Sequence, residues 1–308
     1  MSSPLPPAAS DGVRKYPRIT VVTPSFNQAQ YLETTILSVL GQCYPNLEYI
    51  VMDGGSTDGS VEIIKRYEGR IAYWQSQRDK GQADAINQGF ARATGDILCW
   101  LNSDDYYLPG TLLTVARHFA DRLDRPALIY GSSFFFRESD GAVRLLRARP
   151  FDAELLRETD YIFQPSSFWT KALWEANGPL EENLHFAFDW DWYIRAAARA
   201  EFTAHEGILS AYRRHAAHKS AVGGNGRRDE ILKVVRRYGS KDQIRAYEYV
   251  TSRWEQFAKR NQLIASLWKK RIPYPPLVGA ALTPKLWGTP SWLSRERCER
   301  CVGMLIAS

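Results

Sequence analysis

The sequence lacks the usual nucleotide fingerprints. No G-x-G-x-x-G follows a candidate strand, which removes the dinucleotide-binding turn, and no G-x-x-x-x-G-K-[ST] occurs, which removes the phosphate loop of NTPases. A G-x-S-x-G nucleophile elbow is absent too. No apolar run approaches the roughly 20 residues that span a bilayer. A cytoplasmic protein is therefore expected, free or peripheral at the inner face of the membrane. The first dozen residues lack a charged start followed by an apolar block, so no signal peptide is expected. Residues 1–16, rich in Pro, Ala and Ser, read as a disordered lead-in. Cysteine is scarce: Cys43, Cys99, Cys298 and Cys301 form no secretory disulfide framework. The one C-x-x-C, at 298–301, has no second pair to make a zinc site.

What is present divides by charge. The net charge is +6, yet residues 227–308 hold 17 Lys and Arg against 7 Asp and Glu, which leaves the first 226 residues at −4. The basic balance belongs to a C-terminal extension, and nucleic acid is not an expected partner of the rest. Basic clusters beside Trp254, Trp268, Trp287 and Trp292 suit either a peripheral membrane contact or a helical appendage that packs on the preceding domain or mediates self-association.

From residue 17 the chain alternates short apolar runs with helical periodicity. Ile19–Thr23 reads as a strand, followed by a helix with Leu32, Ile36, Val39 and Leu40 on one face. Leu47–Met52, Ile71–Trp74 and Ile97–Leu101 are further strands, each followed by a polar loop and a helix. Such alternation predicts an α/β domain with a mostly parallel sheet flanked by helices, whose post-strand loops share one edge. Phe26, Asp53, Asp79 and Asp104 should therefore converge. Past residue 125 the rhythm changes, with a hairpin around Ser139-Asp140-Gly141, a helix from Asp189 and a late strand at Ile208–Tyr212.

The fourth strand ends in Asn102-Ser103-Asp104-Asp105. Hard oxygen donors at a strand end suit Mg²⁺ or Mn²⁺ held together with a phosphate. The same residues also suit a loop that caps the next helix.

Three stretches decide between these readings. Val22-Thr23-Pro24-Ser25-Phe26-Asn27, Met52-Asp53-Gly54-Gly55-Ser56-Thr57-Asp58-Gly59 and Leu101-Asn102-Ser103-Asp104-Asp105, with Asp84-Ala85-Ile86-Asn87-Gln88-Gly89 between them, resemble the inverting family 2 glycosyltransferases of the GT-A (nucleotide-diphospho-sugar transferase, Rossmann-like) fold. The resemblance covers roughly residues 17–220. It implies a domain over 17–226, a helical extension over 227–308, and transfer of a sugar from a nucleoside-diphosphate donor, expected to be a UDP-sugar, to the hydroxyl of a glycan, lipid-linked or other acceptor.

Carried onto this chain, the resemblance implies that Pro24, Phe26, Asp53, Asp84, Ser103, Asp104 and Asp105 line the donor. Phe26 would stack near the base, and Asp53 would accept a hydrogen bond from it. Asp104 and His215 would hold Mn²⁺ or Mg²⁺, with Arg213 or Arg214 assisting at the phosphates. The family's D-x-D appears here with Asn102 in its first position. Asp189 matches the catalytic acid of the E-D segment, where Phe188 replaces the glutamate, and Asp191 is the second candidate for general base. The two departures motivate an alternative: a nucleotide- or glycan-binding subunit that keeps the fold without turnover.

Overall fold

The structure is a computed structural model and describes residues 16–219, 223–259 and 290–306. Its centre is a nine-stranded sheet. Four strands, β1 (Ile19–Ser25), β2 (Leu47–Asp53), β3 (Tyr73–Ser76) and β4 (Ile97–Trp100), pair in parallel in the order β3-β2-β1-β4. Their crossovers are α1 (Ala29–Leu40), α2 (Ser60–Arg66) and α3 (Gln82–Phe90). After β4 come a two-residue strand β5 (Tyr106–Tyr107) and α4 (Thr111–His118).

The second half is mixed. β6 (Ala127–Arg137) forms the expected hairpin with β7 (Ala142–Leu146) and runs parallel to β9 (Glu201–Arg214), while β8 (Ser167–Thr170) lies antiparallel between β4 and β6. Between them sit α5 (Ala153–Glu158), α6 (Lys171–Asn177) and α7 (Phe188–Ala197). The register of β6 against β9 shifts beside Gly131, where a Cβ would lie 2.6 Å from the Leu209 side chain. A side chain there would force the irregular strands apart.

Strand alternation sorts the core onto two faces. Val21, Tyr49, Val51 and Cys99 pack with Leu32, Ile36 and Val39 of α1 on one. Val22, Ile50, Met52, Leu98 and Trp100 pack with α3 and α7 on the other. That second face holds an aromatic cluster, with Trp169 ring centroids 5.4 Å from Trp100 and 4.8 Å from Trp192. All three tryptophans are buried.

The C-terminal region is continuous with this core. α8 (Gly224–Tyr238) begins before the expected boundary at 226/227, so that boundary falls inside a helix. Ile231, Val234 and Val235 of α8, Tyr247 of α9 (Lys241–Ser252) and Cys301 of α10 (Arg295–Ile306) share one cluster with Trp190 and Leu156. The buried Glu158 carboxylate pairs with Arg297 at 2.9 Å and Arg300 at 3.0 Å, which fastens α10 to the end of α5. Cys298 and Cys301 are free thiols buried in that packing. Among the described residues no helix is long and apolar enough to cross a membrane. Trp268 and Trp287, invoked for a membrane contact, lie outside the described residues, whereas Trp292 lies under the Arg245 guanidinium, 3.9 Å from it.

Candidate active site

The carboxyl ends of β1, β2 and β4 form one edge, and their loops are stitched together. Asn27, at φ +50°, accepts the Thr57 N–H on Oδ1 and donates its own N–H to Ser56 Oγ. Asp58 accepts from Ala29 N–H at the start of α1 and from Ser60 at the start of α2. Burial opposes ionisation of Asp58, but these hydrogen bonds prevail and hold its carboxyl below the usual range.

Phe26 projects from this edge, 60% exposed, the most solvent-facing large apolar side chain among the described residues. Gly54 lies beneath it. A Cβ on Gly54 would meet Asp79 Oδ2 at 2.8 Å and the Phe26 ring at 3.3 Å, so the floor between them admits only glycine without movement.

Several residues expected at the donor also serve the protein's own structure. Pro24 is buried within β1. Val22 C=O accepts from Leu101 N–H, so Pro24, two residues on, turns its donor-less nitrogen to the same side, where the β4 ladder has ended. Its side chain is therefore part of the sheet. The Asp53 carboxylate is 1% exposed and is used by its own surroundings: Oδ2 accepts from Gly55 N–H, Ser56 N–H and Ser76 Oγ, while Oδ1 accepts from Ser56 Oγ. It shapes the loop that carries Gly54. Asp84 Oδ2 accepts from Lys80 N–H and Gln88 Nε2, closing the entry to α3.

The Asn102–Asp105 loop has an inner and an outer acid. Asp105 is fully buried; it accepts from Arg213 N–H at 2.9 Å and from Asn102 Nδ2 at 3.4 Å. Burial first, then the charge of Asp104, pushes its carboxyl well above the usual range. Asp105 thus anchors β9 to the loop. Ser103 is buried as well, and its C=O accepts from Thr35 Oγ1. Arg213, expected at phosphates, is spent on the loop: its Nε donates to Asp104 C=O and its guanidinium covers Tyr31 at 4.9 Å.

Asp104 is the outer acid. Its Oδ2 lies 3.0 Å from His215 Nε2, a contact that joins the end of β4 to the segment after β9. The His215 ring rests on Tyr31, with centroids 4.3 Å apart, and its Nδ1 is buried without a hydrogen-bond partner. Among the described residues no group of three or more His, Cys, Asp and Glu gathers as a metal cage. A carboxylate and an imidazole in contact nevertheless fit a divalent cation whose remaining positions are taken by phosphate oxygens and water.

Asp189 and Asp191, two residues apart on α7, have different surroundings. Asp191 is fully buried, and its oxygens bind Arg195 Nε at 2.9 Å, Arg237 NH1 at 2.8 Å and the Tyr238 hydroxyl at 2.9 Å. This ion pair gives Asp191 a structural role that ties α7 to α8. The Asp189 Oδ1 accepts from Trp190 N–H at 2.8 Å, and no ion pair within 4 Å engages its carboxylate among the described residues. Burial raises its pKa, although that backbone bond and the charges of Lys219 and Arg227 pull the other way.

Sequence reasoning missed four contributors. Asp160, just after α5, has a buried Oδ1 with no partner and is pushed well above the carboxylate range by burial and by the charge of Asp189. Its N–H lies 3.2 Å from Met304 Sδ of α10, whose C=O accepts from Arg227 NH1 at 2.8 Å. Gln82 donates to Asn102 Oδ1 at 2.7 Å and accepts from Lys219 Nζ at 2.8 Å. Gln164 donates to Trp100 C=O and accepts from Asn102 Nδ2. Position beside His215 was the only signal for Lys219, and none marked Asp160.

The chain was then compared with known proteins. A family model described as Glycosyl transferase family 2 matches residues 20–171. A glycosyltransferase of Mycobacterium tuberculosis strain H37Rv, described as uncharacterized, is 33% identical over 190 residues, 60% of this chain and 71% of that protein. The putative teichuronic acid biosynthesis glycosyltransferase TuaG of Bacillus subtilis is 40% identical over 92 residues, 29% of this chain and 36% of that one. Two solved structures share the fold at 19% identity. TarS of S. aureus in complex with UDP-GlcNAc aligns with a TM-score of 0.56 over 70% of this chain and 64% of that one, so this chain spans less than two thirds of it. Mannosyltransferase PcManGT of Pyrobaculum calidifontis, in complex with GDP-Man and Mn²⁺, aligns with a TM-score of 0.60 over 96% and 88%.

Proposed function

Because this chain belongs to glycosyl transferase family 2 and has the GT-A-like arrangement of a mixed sheet flanked by helices, we propose that it transfers a sugar, with inversion, from a nucleoside-diphosphate donor to an acceptor hydroxyl. The observation that carries this reading is the Asp104–His215 contact, which sets a carboxylate and an imidazole from distant segments together at the carboxyl edge of the parallel strands. Phe26 offers an exposed face to the base, with Gly54 below it. Asp189 takes the proton of the acceptor hydroxyl as its oxygen attacks the anomeric carbon, and the diphosphate leaves with the electrons of the broken C–O bond. Asp104 and His215 would hold a divalent cation, which when bound would supply Lewis-acid charge at that leaving group. We take a UDP-sugar as the donor and a glycan, lipid-linked or other hydroxyl compound as the acceptor.

The test is a panel of nucleotide sugars with Mn²⁺, scored by release of nucleoside diphosphate in the presence and absence of sugar acceptors. Release with at least one donor is expected. Nucleotide binding with no turnover across the panel would turn the protein into a binding subunit, and no binding at all would remove the reading. Two substitutions refine it. Phe26→Ala should weaken UDP or GDP binding by about 1–3 kcal/mol, the usual worth of an aromatic stacked on a base, with no change in melting temperature because the ring is exposed. Asp104→Ala should abolish Mn²⁺ binding measured by calorimetry in the presence of nucleotide; unchanged metal affinity places the cation elsewhere.

A further inference from the structure

Lys219 follows His215 by four residues, in the segment after β9. Its Nζ donates to Gln82 Oε1 at 2.8 Å, and Gln82 Nε2 donates to Asn102 Oδ1 at 2.7 Å. The same Nζ lies 5.2 Å from the ring centre of Phe188 and 5.9 Å from that of Phe186. Asn102 and Phe188 are the two positions where this chain departs from the acidic residues of its family. One ammonium thus lies over the Phe188 ring and reaches Asn102 through Gln82.

An ammonium has three donors, and here a single neutral amide takes one of them. Among the described residues Lys219 forms no ion pair within 4 Å, although its charge is felt by Asp189 on one side and Asp79 on the other. Burial lowers its pKa to about 8, against the opposing pull of Asp189, Glu230 and Asp79. A partly desolvated cation with free donors, whose charge reaches the expected base Asp189, lacks a strong anion. A carboxylate at 102 would fill that role directly or through Gln82. A neutral amide leaves the role to a ligand.

We propose that Lys219 binds an oxygen of the donor's diphosphate, positioned by the Gln82–Asn102 relay, so that a protein cation shares with the metal the charge of the leaving group. The proposal rests on the nucleotide-sugar reading above. It explains how the site works with one carboxylate fewer beside the metal: an acid exchanged for an amide lowers the negative charge around the diphosphate, and an ammonium at the end of the relay adds positive charge to it. Gln82 is a positioning residue, since it touches Lys219 and Asn102 and holds the ammonium in place.

The test is calorimetric binding of UDP and GDP, with UMP and GMP as controls, in EDTA and in Mn²⁺. In EDTA the wild-type protein should retain measurable affinity for the diphosphate it prefers. Lys219→Met should lower that affinity at least tenfold, as expected for a hydrogen bond to a charged group, and change monophosphate affinity less than twofold. Lys219→Arg should come within about threefold of wild type, and Gln82→Leu should fall between Met and wild type. Equal diphosphate affinity for Lys219→Met and wild type in EDTA overturns the proposal and leaves the glycosyltransferase reading standing. So does a matched loss of mono- and diphosphate affinity, which marks a structural role. If wild type binds neither UDP nor GDP even with Mn²⁺, the nucleotide-sugar reading itself fails.

Discussion

Asp189→Asn is expected to lower sugar transfer about 10²- to 10⁴-fold while leaving nucleotide affinity and melting temperature near wild type. The amide is isosteric and still accepts the Trp190 N–H on its oxygen, so α7 keeps its first turn. What disappears is the proton acceptor, whose removal has that cost in general base catalysis. The pH profile gives a second reading of the same residue. Burial raises the Asp189 pKa above the ordinary value, and a base works only when ionised. The acid limb of kcat should therefore lie at higher pH than an unperturbed aspartate would place it, near 4. Asp160→Asn should leave that limb in place, because burial and the charge of Asp189 push the Asp160 carboxyl well above the usual range, so Asp160 is still neutral as Asp189 ionises. An Asp189→Asn variant that keeps more than a tenth of its turnover, or a wild-type acid limb at the pH of an unperturbed aspartate, excludes Asp189 as the base.

Asp191→Ala should give the opposite pattern: a loss of about 3 kcal/mol in unfolding free energy with kcat largely retained by the folded fraction. The carboxylate is fully buried and satisfies two guanidiniums and a hydroxyl that join α7 to α8. Breaking a buried ion pair by deleting one partner costs about 3–5 kcal/mol. The lower end applies because the Arg237 side chain is 49% exposed and its charge can return to water. Urea unfolding followed by circular dichroism measures the effect. Full stability combined with lost turnover would restore Asp191 to the catalytic set.

The contrast between these two acids shows where sequence reading stops. Period-2 and period-3.6 patterns placed β1 to β4 and their helices, because each of those elements carries its own buried face. The first half of β9 escaped, since Glu201, His205 and Glu206 show no apolar alternation and the strand is held by its parallel pairing with β6. The family resemblance set Asp104 and His215 at one site, and the two are in contact although 111 residues separate them. It ranked Asp189 above Asp191 and gave the metal to Asp104 and not Asp105, but supplied no physical reason for either difference. Those differences arise from what packs against each carboxylate, chiefly Arg237 from α8 and the Arg213 N–H from β9, and such partners follow from tertiary structure. Asp160 and Lys219 were invisible for the same reason.

The fastening of α10 behind the site also sets an order in time. Asp160 receives its backing from Met304, 144 residues further along the chain, and Glu158 is neutralised by Arg297 and Arg300 of the same helix. A ribosome adds about 5–20 residues per second, so the wall behind Asp189 stays open for seconds after Asp160 itself has emerged. The edge that carries Phe26 and Asp53 is made early and the acid's surroundings last.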